Sequence, residues 1–201
     1  FSNYGVILKN LGKLKEAELS FRKAIEIKPD FGDTYLNLGN ILRDRGNLQE
    51  AELATRKTIE LDPNLAEAHF NLGNILRELG KLQEAELSLR KAIEINPNFS
   101  MAHSNLGGAL RDLGKVQEAE RSLRKAIEIN PNLAEAHFTL GGILKDLGSL
   151  EAAFDSYLKV IDINPSHSNV YPSISRFLKE SDPSQLNKYK LKKILNILLN
   201  K

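Results

Sequence analysis

Apolar residues recur along this chain at three- and four-residue intervals, in blocks separated alternately by glycine and by proline. Between Tyr35 and Ile59 the pattern reads Tyr35, Leu38, Leu42 and then Leu48, Ala51, Thr55, Ile59, with Gly46 at the break. That is the spacing of one helix face on either side of a turn. The blocks themselves repeat: Gly12, Gly46, Gly80, Gly114 and Gly148 lie 34 residues apart, as do Pro29, Pro63, Pro97, Pro131 and Pro165. A fixed period of this length predicts an all-α solenoid, a helix-turn-helix unit stacked on itself so that each copy buries its apolar side against its neighbours. Function is then expected along an extended surface rather than in a single pocket.

The punctuation has physical content. Gly46 is placed to take the left-handed conformation that ends the first helix of its unit, where a Cβ would cost about 1 kcal/mol or more. Pro63 cannot continue the second helix and drives Asp62 out of the α region, so the chain turns. Asn64, Asn98 and Asn132 follow, and their side chains are expected to cap or steady the turn into the next helix. Gly39, Gly73, Gly107 and Gly141 fall mid-helix, at about 1 kcal/mol each relative to alanine, so close helix approach is predicted there. Ala17, Ala51, Ala85, Ala119 and Ala153 make the matching allowance on the second helices. Glu18/Arg22, Glu52/Arg56, Glu86/Arg90 and Glu120/Arg124 form acid-first i,i+4 pairs that read as a solvated outer face.

Leu38-Gly39, Leu42, Ala51 and Pro63, repeated as Leu72-Gly73, Leu76, Ala85, Pro97 and as Leu106-Gly107, Leu110, Ala119, Pro131, resemble the tetratricopeptide repeat (TPR), a 34-residue helix-turn-helix. The match gives five copies, 1–31, 32–65, 66–99, 100–133 and 134–167, the first of them shortened. Its departures are local: the bulky residue that opens the first helix is Phe1 and Tyr35 but His69, His103 and His137, and the aromatic expected four after the alanine is Phe21, then Thr55, Leu89, Leu123 and Tyr157. The resemblance implies a right-handed superhelical solenoid in which the first helices line a concave groove and the second helices form the convex back. A sixth copy begins with Tyr171, Ile174 and Leu178 and then degenerates, with Ser175 in place of the glycine. The lysine-rich stretch that completes 168–201, with Leu191, Ile194, Leu195 and Leu198 on one face, reads as a C-terminal capping helix; a bridge to a further domain and a partner or membrane-surface helix are the other readings.

Composition narrows the chemistry. The net charge of +2 hides an asymmetry: residues 184–201 carry five lysines and no acid, which leaves the rest of the chain with 23 basic and 26 acidic residues, or −3. A basic nucleic-acid surface is therefore not expected on the repeats. The chain has no cysteine, which excludes a disulfide framework and suits a reducing, cytoplasmic setting. No run of residues is long and apolar enough to span a membrane. His69, His103 and His137 recur at the repeat period, but equivalent positions in adjacent copies sit about 8–10 Å or more apart, too far to share one metal. No Gly-rich phosphate loop, GxSxG or HExxH occurs. Neither a catalytic residue, a metal nor a cofactor is expected.

The expected site is a set of stripes for a protein or peptide partner. Asn3, Asn37, Asn71 and Asn105, with Thr139 after them, put a polar side chain at one fixed point of each copy. An asparagine offers a donor and an acceptor, so a row of them suits the successive peptide groups of an extended chain. A similar asparagine ladder is implied by resemblance to the TPR superhelix of the O-linked N-acetylglucosamine transferase. Asn40 and Asn74 join the set, and Phe70 and Phe138 suggest room for apolar side chains. Arg43, Arg77, Arg111 and Lys145 form a basic row, shadowed one residue on by Asp44, Glu78, Asp112 and Asp146; the two rows are either separate lanes or partners between copies. The carboxylate clamp of the chaperone-binding TPR subclass is not expected, because Ser2, Leu36, Phe70, Ser104 and Phe138 stand where its lysines would be. The leading function is an interaction scaffold that holds an extended segment, and the alternative is the substrate-recruiting arm of a larger transferase-type enzyme. The N-terminal end, around Val6 and Ile7, is expected to be open and to offer a surface for self-association.

Overall fold

A computed structural model describes residues 1–180 together with Asn187, Leu191, Lys192, Leu195 and Asn196. The described residues form eleven helices and no strand: α1 Ser2–Asn10, α2 Leu14–Ile27, α3 Gly32–Asp44, α4 Leu48–Leu61, α5 Ala66–Glu78, α6 Leu82–Ile95, α7 Ser100–Asp112, α8 Val116–Ile129, α9 Ala134–Asp146, α10 Leu150–Ile163 and α11 Val170–Glu180. Odd and even helices alternate as the first and second members of each unit, so the all-α repeat expected from the pattern is present. The chain divides into two compact units, Phe1–Asn105 and Leu106–Lys201. In the first, α3 packs against both α2 and α4, and α5 against α4 and α6. In the second, α11 is the first helix of the degenerate copy, with Val170, Ile174 and Phe177 fully buried. The capping-helix reading of the lysine-rich stretch falls largely outside the described residues. No described helix is long and apolar enough to cross a membrane.

Each helix pair turns on a glycine. Gly12, Gly46, Gly80, Gly114 and Gly148 all adopt the left-handed conformation, with φ between +73° and +76°. At the second of them the Asn47 N–H donates to the Leu42 carbonyl and the Gly46 N–H to the Arg43 carbonyl, both at 2.8 Å. This double bond pattern satisfies carbonyls that the end of α3 would otherwise leave open.

The proline turn is built differently from the expectation. Asp62 is extended, at φ −138° and ψ 92°, as the following proline requires. The stabilising side chain is that residue's own, not the asparagine's: Asp62 Oδ1 accepts from the Asn64 N–H at 3.1 Å, and Asn96, Asn130 and Asn164 repeat the contact at 3.1–3.2 Å. Asn64, Asn98 and Asn132 contribute backbone only to this Asx turn. The histidines complete it. His69, His103 and His137 donate from Nε2 to the carbonyls of Pro63, Pro97 and Pro131 at 2.9–3.0 Å, and the Tyr171 hydroxyl does the same to Pro165 at 2.7 Å. Their recurrence at the repeat period therefore has a structural cause.

The mid-helix glycines sit where helices touch. A Cβ on Gly73 would lie 2.6 Å from Leu89 Cγ, one on Gly107 2.5 Å from Leu123 Cγ, and one on Gly5 or Gly141 2.7 or 2.8 Å from the rings of Phe21 and Tyr157. The residue four after the alanine, the one that varies most between copies, is thus the one that seats on the glycine.

The even helices carry more than a solvated face. The i,i+4 pairs form, for example Arg56–Glu52 at 2.9 Å, but Arg56 also reaches Glu84 at 2.8 Å and Lys81 reaches Glu52 at 2.8 Å. Glu52 and Glu86 are buried, which corrects the expectation of a wholly solvated row. Burial pushes the Glu52 carboxyl up, but hydrogen bonds from Lys81 and Arg56 outweigh it and hold the pKa below the ordinary glutamate value. A group whose pKa is depressed on folding stabilises above its unfolded pKa, and loses that contribution as pH falls through the folded one. Glu52→Gln is accordingly expected to flatten the acid limb of the stability profile, measured by denaturant unfolding between about pH 5 and pH 2. Parallel profiles for variant and wild type would refute the role given to this carboxylate.

Candidate functional site

The expected binding residues all lie on the odd helices, some exposed and some buried. In the first unit Asn3 is exposed on α1. Asn37 Nδ2 donates to the Asp33 carbonyl on its own helix at 2.9 Å. Asn71 and Asn105 behave otherwise. Asn71 Nδ2 donates to Asn40 Oδ1 at 2.9 Å, tying α5 to α3, and Asn105 Nδ2 donates to Asn74 Oδ1 at 2.6 Å, tying α7 to α5. Asn71 and Asn74 are buried as residues. The amides thus stand as cross-linked pairs whose members are 31 residues apart, one repeat less three positions. Each pair keeps a donor on one asparagine and an acceptor on the other. None of these atoms is buried without a partner.

The apolar candidates are already engaged inside the chain. Phe70 is 8% exposed and packs on Phe99 with ring centroids 4.8 Å apart. Phe138 packs against His167 at 4.9 Å and Tyr157 at 6.0 Å. The charged rows pair between repeats: Arg43 Nε lies 2.7 Å from Glu78 and Lys145 Nζ 2.9 Å from Glu180. Arg77 also has a partner. Pairs this exposed contribute at most about 1 kcal/mol each.

Arg111 departs from the pattern. Its ion pair is with the adjacent Asp112 at 3.5 Å, and a guanidinium nitrogen lies 3.9 Å from the point where a Cβ on Gly142 would stand. Gly142 occupies the position held by Asn40 and Asn74 in earlier copies, and Thr139, buried on the same helix, stands where the ladder asparagine would be. Packing does not demand this glycine. A Cβ there would meet the Tyr157 hydroxyl oxygen at 3.8 Å, an ordinary contact, whereas one on Gly141 would strike the Tyr157 ring at 2.8 Å. Yet a mid-helix glycine costs about 1 kcal/mol relative to alanine. The doublet Gly141-Gly142 recurs one copy earlier as Gly107-Gly108, against Gly39-Asn40 and Gly73-Asn74, and what sets this spot apart is Tyr157 where that earlier copy has Leu123; the reading by stripes passes over it.

Tyr157 itself is 4% exposed. Burial raises its phenol pKa, the Asp146 carboxylate raises it further, and Arg111 acts the other way. The hydroxyl therefore stays protonated at neutral pH and is a donor. Between α4, α5 and α6, a furrow of about 480 Å³ is lined by Ile59, His69, Leu72 and Leu87. Its counterpart two repeats on, with Ile127, His137 and Leu140, holds about 420 Å³. They are products of repetition, not a distinctive pocket.

Models described as tetratricopeptide or TPR repeat match residues 1–31, 20–53, 39–76, 66–99, 88–121, 107–148 and 134–167. No curated protein matches the chain. Among solved structures, a crystal structure of MamA is similar with a TM-score of 0.73 and 24% identity, covering 82% of this chain and 96% of that one. The structure of YrrB, described as a TPR protein with an unusual peptide-binding site, gives a TM-score of 0.69 and 24% identity over 87% of this chain and 90% of that one. That of Pseudomonas aeruginosa pilF gives 0.79 and 22% over 89% and 81%. At such identities the likeness shows the fold.

Proposed function

Because the chain belongs to the tetratricopeptide-repeat family, we propose that it is a protein-interaction scaffold that holds an extended segment of a partner along the groove face of its odd helices. The observation that carries this reading is the pairing of Asn71 with Asn40 and of Asn105 with Asn74. Each pair leaves one amide donor beside one amide acceptor, the same two groups that a peptide unit offers in complement. Rows of such pairs grip a backbone and are indifferent to its side chains. The description of YrrB as a TPR protein with a peptide-binding site supports it, and the cysteine-free sequence suits work in the cytoplasm.

The test is affinity capture with mass spectrometry, comparing wild type with the variant Asn37→Ala/Asn71→Ala/Asn105→Ala. Partners that wild type retains are expected to be lost by the variant. Undiminished recovery of the same partners would overturn the groove assignment.

Self-association is proposed for the face of α1. Phe1, Tyr4, Ile7 and Leu11 are 55–67% exposed on one side of that helix. Leu38 and Ile41, the residues one repeat on from Tyr4 and Ile7, are 5% and 0% exposed. Val6, by contrast, packs into the chain's own core. Lys9 is the only charged side chain on α1, and Lys23 Nζ stands 5.0 Å from the centroid of the Phe1 ring, so like charges border the contact. Four side chains expose roughly 400 Å² per copy, below what a stable dimer buries, and the expected dimer is weak. Sedimentation equilibrium should show concentration dependence that Ile7→Glu removes. Strict monomer behaviour at millimolar concentration would dispose of the idea.

A further inference from the structure

We propose that Tyr157, a core residue, is also a binding residue: through the notch left open by Gly142, its hydroxyl and the Arg111 guanidinium converge on a neutral carbonyl oxygen of the bound segment. The proposal rests on the groove reading above and extends it to the second unit, where glycine replaces the asparagines that form amide pairs in the first. Three observations meet at one point. The hydroxyl oxygen and an Arg111 nitrogen lie 3.8 and 3.9 Å from the vacant Cβ position of Gly142, so two donors border the space that the missing side chain leaves. The Tyr157 hydroxyl makes no hydrogen bond among the described residues. Gly142 weakens its helix without any packing need for the missing side chain.

The surrounding charges choose the ligand. Arg111 is countered by Asp112 at 3.5 Å and Lys145 by Glu180 at 2.9 Å, and Asp146 acts on the Tyr157 hydroxyl more strongly than Arg111 does. The cations near the notch thus already have carboxylate partners, and a peptide carbonyl brings acceptor strength without a further charge. Tyr157 thus takes over in the second unit what the asparagine pairs offer in the first.

The experiment uses the full chain, isotope-labelled, titrated with acetyl-triglycine amide and separately with acetate, and followed by NMR at the Gly142 amide and the Arg111 Nε–H. The blocked peptide is expected to give saturable shifts at both, and acetate shifts at least tenfold weaker. Gly142→Ala should abolish the response while leaving the melting temperature equal or higher, since a Cβ fits there. Tyr157→Phe should weaken the response at least tenfold. Absence of saturable shifts with the peptide, tighter binding of acetate, or an unchanged response in Gly142→Ala would each overturn the proposal. Repeating the titration in the triple asparagine variant separates this notch from the ladder, because the Gly142 response should survive there even if partner capture is lost.

Discussion

Gly73→Ala should lower stability by about 1–3 kcal/mol, although alanine is the better helix former by about 1 kcal/mol. The added Cβ would sit 2.6 Å from Leu89 Cγ and 3.3 Å from the Ala85 carbonyl. Leu89 is fully buried, the clash is with its Cγ rather than a side-chain tip, and the carbonyl belongs to the facing helix. Relief therefore requires α5 and α6 to move apart, against a core packed like a crystal. The denaturation midpoint reports the loss. A second substitution identifies its cause: Leu89→Ala alone leaves a cavity at about 2–5 kcal/mol, but added to Gly73→Ala it also removes the clash, so the double variant should be destabilised by less than the sum of the two. Simple additivity, or no loss in Gly73→Ala, would contradict the close approach. Gly142→Ala is the internal control, since its nearest atoms stand at 3.8 Å and beyond and only the helix-propensity gain remains.

That contrast shows what the sequence could and could not convey. A glycine at a fixed offset after an apolar run announces a left-handed turn, because the constraint is local to one residue, and all five such glycines adopt it. The cost of a mid-helix glycine likewise announces that something needs the space. What fills the space is not local. Leu89 meets Gly73 from the next helix, and the periodic pattern alone does not say which position of that helix faces inward at that height. The asparagine row was legible as a row, but the link from Asn71 to Asn40 depends on how far and at what angle one repeat is displaced from the next, and a period of 34 residues contains neither quantity. The same holds for Glu52, whose contact with Lys81 crosses between copies. For the turn after Pro63, two Asx-type residues stand within reach, Asp62 and Asn64, and only the backbone geometry selects Asp62 as the acceptor. Gly108 and Gly142 both break the Gly-Asn pattern, yet the meaning of Gly142 comes from Tyr157, whose counterpart one copy earlier is Leu123.

The variant Asn37→Ala/Asn71→Ala/Asn105→Ala should weaken partner binding by roughly 10- to 1000-fold, since three backbone-directed amide bonds contribute about 0.5–1.5 kcal/mol each when they act independently. The single changes should not contribute equally. Asn37 donates one of its two amide N–H groups to the Asp33 carbonyl of its own helix and is paired with no second asparagine, so it brings one N–H and its carbonyl oxygen to a ligand, and Asn37→Ala, which dismantles no pair, should have the smallest effect. Asn71→Ala and Asn105→Ala each dismantle a donor-acceptor pair and set Asn40 or Asn74 adrift, so each should affect binding more. They also remove a link between odd helices, worth a net 0.5–1.5 kcal/mol, which the better helix propensity of alanine partly returns. The triple variant should therefore keep its helix content and lose no more than about 2 kcal/mol of stability. Because backbone contacts carry little side-chain information, unrelated partner sequences should be weakened alike, as isothermal titration against several captured segments would show. A variant that unfolds would make the asparagine pairs structural pins. One that retains full affinity for a segment independently crosslinked to the groove face would take the ladder out of recognition altogether.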